Sequence, residues 1–479
     1  LALAPTLALG AAWAGMGGWL LGRLRGQLHT WPGLALALSL GFSLLPLFLS
    51  LSGIGVGLPT AWPLLLTPAL ITLLLTLWPA AARYAAPLAA LAAGCALLWA
   101  GLYGYADALL RPPSDFQAYY EAGRRIIDGQ PLYDMAALQA NPFATTYKYP
   151  PLMALLVAPL SLLPLPLAGA AWRLLCVGSA AAGVLALQAA HPPPRRTSLT
   201  LIGLALLIGL SPVIRSLRFG QPELLIVAVA VLGTGLLLRG LIWESAALWA
   251  LVALLKIYPL LLVLPLLLRG RRRWAQALGA CLIGWTLLSS TIDGWDLIFW
   301  RDLFPSLGAR DGRLSNMAIY GVVARLIDPS AYRGDQAVPA AALPSLLLCT
   351  LLLLASVWLL WRRREQMETQ IWPALGMMVC TVLLVIPVGW DHYHALLLLP
   401  LIVSLGALGQ PRDDATLWLG AYTLLVFGVS RDFWPTSEQT PTAFALFFGS
   451  YRTLGALLLW LWFARRPSHT PPDERALCE

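Results

Sequence analysis

The sequence predicts an all-α polytopic membrane protein, a bundle of about 13–15 transmembrane helices with outward-facing loops, and three observations carry that expectation. Of 479 residues, 59% are hydrophobic and only 11% charged, and the mean hydropathy is +0.73. Apolar runs of the roughly 20 residues that one crossing needs recur from end to end. Lys and Arg gather in short clusters at the ends of those runs, as topology determinants do. Water cannot be the main solvent of such a chain.

The expected spans are 2–22, 34–54, 62–80, 86–107, 165–190, 198–214, 221–238, a broken segment at 243–268, then 274–291, 341–361, 371–388, 394–409, 416–430 and 446–464. The first run is long and ends in Arg23 and Arg25, so it reads as a helix with a stop-transfer signal rather than a cleaved leader. Four regions follow: N-terminal transmembrane helices over 1–107, an outward loop over 108–164, the remaining bundle over 165–466 with a second outward loop at 292–340, and a cytoplasmic tail over 467–479.

Placing Arg23 and Arg25, Arg195 and Arg196, Arg269 to Arg273, Arg362 to Arg364, Arg412, and Arg465 with Arg466 on the cytoplasmic side satisfies every cluster in one orientation. Both long loops then face outward. The expected setting is a bacterial inner membrane, multi-pass, with the unusual polar residues on the periplasmic or extracellular side.

Two segments resist a simple span. Between Arg239 and Arg269 the chain is too short for two full crossings, so either two short helices meet at Lys256 or one span leaves Arg239 on the wrong side. PLMALLVAPLSLLP, residues 151–164, is also too short to cross and reads as an interfacial or re-entrant element.

The net charge of +9 does not indicate nucleic acid, because the basic residues mark helix ends rather than one face. Six cysteines, five of them in or beside apolar segments and without CxxC spacing, indicate neither a disulfide framework nor a zinc site. No metal or cofactor is expected.

Four constellations carry possible chemistry. DFQAYYEAG opens with Asp115, a carboxylate at the hydrocarbon border that either caps a helix or acts as a general base; Tyr119, Tyr120 and, farther on, Tyr149 suit an outer interface or a substrate. RSLRFGQPELL places Arg215 and Arg218 at helical spacing on the outward side, where guanidinium groups suit a phosphate or snorkel to headgroups, with Gln221 and Glu223 just beyond. LLKIYPLL buries Lys256 among apolar neighbours beside Tyr258, so the ammonium must pair, snorkel or line a polar cavity. GWDHYH, residues 389–394, holds two of the five histidines beside Trp390 and Asp391; zinc would want three or four ligands, so His392 suits a hydrogen bond to phosphate better. The bland alternative there is a polar interfacial turn.

DFQAYYEAG with GQPLYD, then YPPLMALLVAPLSLLP, FGQPELL, LLKIYPLLLVLPLLLRGRRRW and GWDHYH, in this order over residues 115–394, resemble glycosyltransferase family 87, polyprenol-phosphate-mannose-dependent mannosyltransferases of the GT-C superfamily. The resemblance implies a GT-C bundle, metal-independent inverting transfer from a polyprenyl-phosphate sugar to a lipid or glycan acceptor, and Asp115 as base. Arg218, Lys256 and His392 are then expected on the donor phosphate. Tyr119, Tyr120, Tyr149, Gln221, Glu223, Tyr258, Asn316, Trp390 and Asp391 are expected on substrate. The chain departs from the family pattern at Glu223, where an Asn commonly follows the Gly-Gln pair, and in about three extra spans ahead of the Asp115 loop. A lipid-linked sugar transporter or flippase is the rival reading; its mark would be symmetry-related helix breaks in two halves, and the breaks here are unpaired.

Overall fold

The computed structural model describes residues 105–106, 108–140, 146–189, 200, 203–204, 206–269, 272–290, 295–305, 310–333, 337–406 and 450–465. The expected spans before residue 105 and at 416–430, and the tail from 466, lie outside the described residues. All described residues belong to one compact unit, formed by Gly101–Gly428 with Pro441–Glu479.

Among the described residues the fold is helical, without a strand. The segment 108–164, expected to face outward, holds α1 (Ser114–Ile127), α2 (Met135–Ala140) and α3 (Pro151–Val157). Then come α4 (Leu165–Ala189), α5 (Ser211–Phe219), α6 (Glu223–Leu238), α7 (Ile242–Leu255), α8 (Leu264–Leu268) and α9 (Arg272–Ser290). The second loop carries α10 (Trp295–Ile298) and α11 (Ile319–Ile327), and the chain continues through α12 (Pro339–Arg362), α13 (Met367–Val385), α14 (Leu398–Gly406) and α15 (Tyr451–Arg465). Helix α4 packs along α6, α6 along α7, α7 against α9, and α13 against α12, α14 and α15.

Among the described residues, two helices, Leu165–Leu187 within α4 and α12, are long and apolar enough to cross a membrane; α5 and α6 together make a third if counted as one broken span. Leu343, Leu347, Leu351, Leu354 and Trp358 stand exposed along α12 within this unit, and Arg362 and Arg364 lie over the rings of Trp358 and Trp361 at its end. Apolar side chains of that size are costly in water, and a Trp–Arg collar is what a helix end at a headgroup layer favours.

The breaks follow from local chemistry. The expected span 198–214 does not run to 214: Leu210 is extended and α5 restarts at Ser211 with Pro212 in its first turn, because proline supplies no N–H to an incoming helix. Helices α5 and α6 are bent by 112° across Gly220–Pro222. Between Arg239 and Arg269 the two-piece solution is the one adopted. Helix α7 ends at Leu255, Lys256 is extended, and a 3-10 turn over Tyr258–Val263 leads into α8. The element at 151–164 is short as expected, α3 followed by a 3-10 turn at Leu160–Leu162.

Candidate functional site

Two of these breaks, α1 and a strap at residues 146–150 meet at one place. Gly220 ends α5 with φ of +72°, a left-handed conformation that glycine adopts without strain, and a Cβ there would fall 2.6 Å from the Phe116 Cβ. The bend thus packs directly against the Phe116 and Pro113 side chains of α1 and the residue before it. Helix α4 pins both: Trp172 donates to the Gly220 carbonyl at 2.8 Å and stacks on Phe116 at 5.7 Å, while Arg173 donates to the carbonyls of Leu217 at 3.0 Å and Arg111 at 2.8 Å. Arg173 thereby ties the loop before Asp115 to the turn before Gln221.

At the centre Gln221 accepts at Oε1 from Tyr119 Oη at 2.8 Å and from Lys256 Nζ at 2.8 Å, and donates from Nε2 to Asp115 Oδ2 at 2.6 Å. Lys256 also forms a buried ion pair with Glu223, whose carboxylate accepts from Ser216 at 3.2 Å and Tyr258 at 3.4 Å. The rings of Tyr393, Tyr149 and Tyr258 surround the ammonium at 4.3, 5.5 and 5.9 Å. Gln221, Glu223 and Lys256 are buried; Asp115 is only half-buried, and its Oδ1 accepts from the exposed Ser114 at 3.2 Å. The buried Lys256–Glu223 pair is charge-balanced, and the Oδ1 edge of the Asp115 carboxylate lies on the exposed side. Asp115 lies in the first turn of α1 but makes no cap hydrogen bond, so the capping alternative is not realised.

A second buried cluster lies one helical turn back along α5. Arg215, rather than Arg218, faces the GWDHYH turn, 3.0 Å from Asp391 Oδ2. Arg452 from α15 donates to the Asp391 carbonyl at 3.3 Å and to Ser211 at 2.7 Å. His392 lies 3.8 Å from Asp391 and edge-on to Phe219 and Tyr393, and its buried Nε2 has no hydrogen-bond partner among the described residues.

The 310–316 loop packs against the GWDHYH turn. Arg325, fully buried, donates to the carbonyls of Gly312, Arg313 and Asn316 and so holds the loop from below. Arg313 pairs with Asp311 at 2.7 Å and lies 4.7 Å over Trp390. Lys148, half-buried in the strap, feels both Asp115 and Arg313; burial pulls its ammonium below the ordinary lysine value to about 8, with Asp115 opposing and Arg313 adding to the shift.

Of the residues expected from sequence, Asp115, Tyr119, Tyr149, Gln221, Glu223, Lys256 and Tyr258 come together. Others are engaged elsewhere. Asn316 clamps the turn, donating to Asp311 and accepting from Ala318 and Gly389; the Tyr120 hydroxyl donates to the Leu163 carbonyl; Asp391 is taken up by Arg215; Arg218 is half-buried in the last turn of α5. Lys256 meets a carboxylate and an amide oxygen, which uses two of its three donors. Sequence reasoning passed over Lys148, Arg173, Arg313, Arg325 and Arg452. Lys148 had a signal, a cation inside the aromatic string YKYPP; Arg452 had one too, an arginine inside the last apolar run, 446–464.

No curated protein and no solved structure matches the chain. The family model of glycosyltransferase family 87 matches residues 147–387, half of the chain, from the tyrosine strap through Gln221, Glu223 and Lys256 to the approach of the GWDHYH turn; Asp115 precedes the matched segment. The chain belongs to glycosyltransferase family 87, and it is a glycosyltransferase.

Proposed function

We propose that the protein is a GT-C-type membrane enzyme that moves a sugar, mannose before arabinofuranose or glucose, from a polyprenyl-phosphate donor to a lipid or glycan acceptor on the non-cytoplasmic face of a bacterial inner membrane, without a metal and with inversion. One observation carries the reading: a half-buried carboxylate, Asp115, held by one oxygen on a charge-balanced interior, with the other on the exposed side beside the Ser114 hydroxyl. The acceptor hydroxyl gives its proton to Asp115 as its oxygen forms the bond to the anomeric carbon, while the bond from that carbon to the phosphate oxygen breaks and the electron pair leaves with the phosphate. A polyprenyl phosphate is a stable dianion, so the departure needs cations rather than an acid. Lys148, Arg313 and His392 with its unpartnered nitrogen are suited to receive it.

The test is incubation of membranes carrying the protein with radiolabelled polyprenyl-phosphate-mannose, followed by lipid extraction. Transfer of label by the native protein and none by a folded Asp115→Asn variant is the expected result, since the amide keeps the shape and cannot take the proton. Undiminished transfer by that variant removes Asp115 from the mechanism. Label that crosses vesicles without being transferred favours the transporter reading.

A further inference from the structure

We propose that Gln221 is a positioning residue that decides which oxygen of Asp115 receives the acceptor's proton, and that the buried Lys256–Glu223 pair acts through it rather than on the donor phosphate. This rests on the reading of Asp115 as the base. The orientation of the Gln221 amide follows from chemistry. A lysine ammonium can only donate, so the atom 2.8 Å from Lys256 Nζ must be the amide oxygen, and the Tyr119 hydroxyl adds a second donor to the same atom. The amide nitrogen is therefore the group 2.6 Å from Asp115 Oδ2, and it must donate there. A proton on Oδ2 would weaken that hydrogen bond, because a hydroxyl oxygen accepts less well than a carboxylate oxygen. Oδ1, on the exposed side and held only by the longer contact from the exposed Ser114 hydroxyl, is the oxygen that takes the proton from the acceptor at less cost. The proton comes to Oδ1 as the acceptor oxygen's electron pair forms the new glycosidic bond, the bond from the anomeric carbon to the phosphate oxygen breaks with its electron pair leaving on the phosphate, and the proton then leaves to solvent from the same edge.

Lys256 polarises the amide and strengthens its donation to Asp115. Glu223, contacting the same ammonium, balances its charge within the buried network.

The experiment is the pH profile of kcat for Gln221→Met, Gln221→Glu and Glu223→Gln beside the native protein, with Asp115→Asn in the same assay. Losing the Gln221 donor, or replacing it with a second carboxylate, should move the acidic limb up by about one pH unit or more. Leaving Lys256 unbalanced in Glu223→Gln should move it down. A scaffold role would lower the amount of folded protein without moving the limb. If Asp115→Asn is inactive and the limb stays in place in all folded variants, the positioning role is overturned while the base survives. If Asp115→Asn is fully active, the underlying reading falls instead. Should both Gln221 variants fail to fold, the direction of the Glu223→Gln shift decides alone.

Discussion

Gln221 donates to Asp115 across 2.6 Å, joining the first turn of α1 to the bend between α5 and α6, although 106 positions separate the two residues in the chain. The contact puts a half-buried carboxylate at the edge of the network and leaves the buried Lys256 and Glu223 to compensate one another. The consequences can be measured residue by residue.

Lys256→Met should destabilise the protein strongly, because Glu223 would remain a buried carboxylate with only the Ser216 and Tyr258 hydroxyls, at 3.2 and 3.4 Å. Breaking one side of a buried pair costs about 3–5 kcal/mol, whereas an apolar replacement of both partners is often tolerated. Thermal unfolding in detergent should therefore show Lys256→Met far below the native protein and Lys256→Met/Glu223→Leu recovering most of the loss. Equal midpoints for the single and double variants would separate stability from the pair.

Donor binding should weaken as pH rises through about 8, the value to which burial lowers the Lys148 ammonium. Below it Lys148 is a cation and attracts the phosphate; above it the attraction is gone. Because the folded value lies below the unfolded one, the fold itself carries a penalty for the charged form below about 8, and stability contributed by this group rises with pH above it. Donor KM against pH should rise above about 8 in the native protein and stay flatter in Lys148→Arg, whose guanidinium remains charged. Parallel profiles would place Lys148 away from the phosphate.

His392→Ala should lower turnover per folded molecule by roughly 100-fold, the usual cost of one donor to a developing anion. His394→Ala should affect turnover much less, because its Nδ1 is already 3.3 Å from the Trp390 carbonyl and the residue is fully buried. A donor-consumption assay on purified variants that ranked them in the opposite order would put the other face of the turn in the site.

Gly220→Ala places a methyl 2.6 Å from the Phe116 Cβ and 3.1 Å from the Pro113 Cβ, in a backbone conformation that costs a non-glycine residue about 1–2 kcal/mol before any clash. The two residues it strikes flank Ser114 and Asp115. Turnover should fall at least as much as stability, to be read by comparing activity per folded molecule with the unfolding midpoint. A variant as active and as stable as the native protein would show that α1 can move away without consequence.

Much of this arrangement was legible from the residues. A lone lysine with Pro259 close by marked the break at Lys256, since helix interruption is a local property of proline and of an unsolvated charge, whereas the break at Pro212 went unread inside an expected span of 198–214. GQPELL marked the bend. Gln221 was read there as one substrate contact among nine, yet it is the hub, because only folding brings Tyr119, Lys256 and Asp115 to the two ends of one amide. Similarly, Asp391, Asn316 and Tyr120 looked free to meet substrate, and each is taken up within the fold.

The sequence by itself determined that the chain is apolar, helical and interrupted at specific points, and that a few charges sit where lipid or protein must surround them. These properties depend on composition and on neighbours a few residues apart. Which charge balances which was decided by the tertiary structure alone. Arg215 rather than Arg218 meets Asp391, and Glu223 meets Lys256 across 33 positions. The reason is physical: an ion pair depends steeply on distance in a low-dielectric interior, and distances between residues far apart in the chain exist only once the helices have packed.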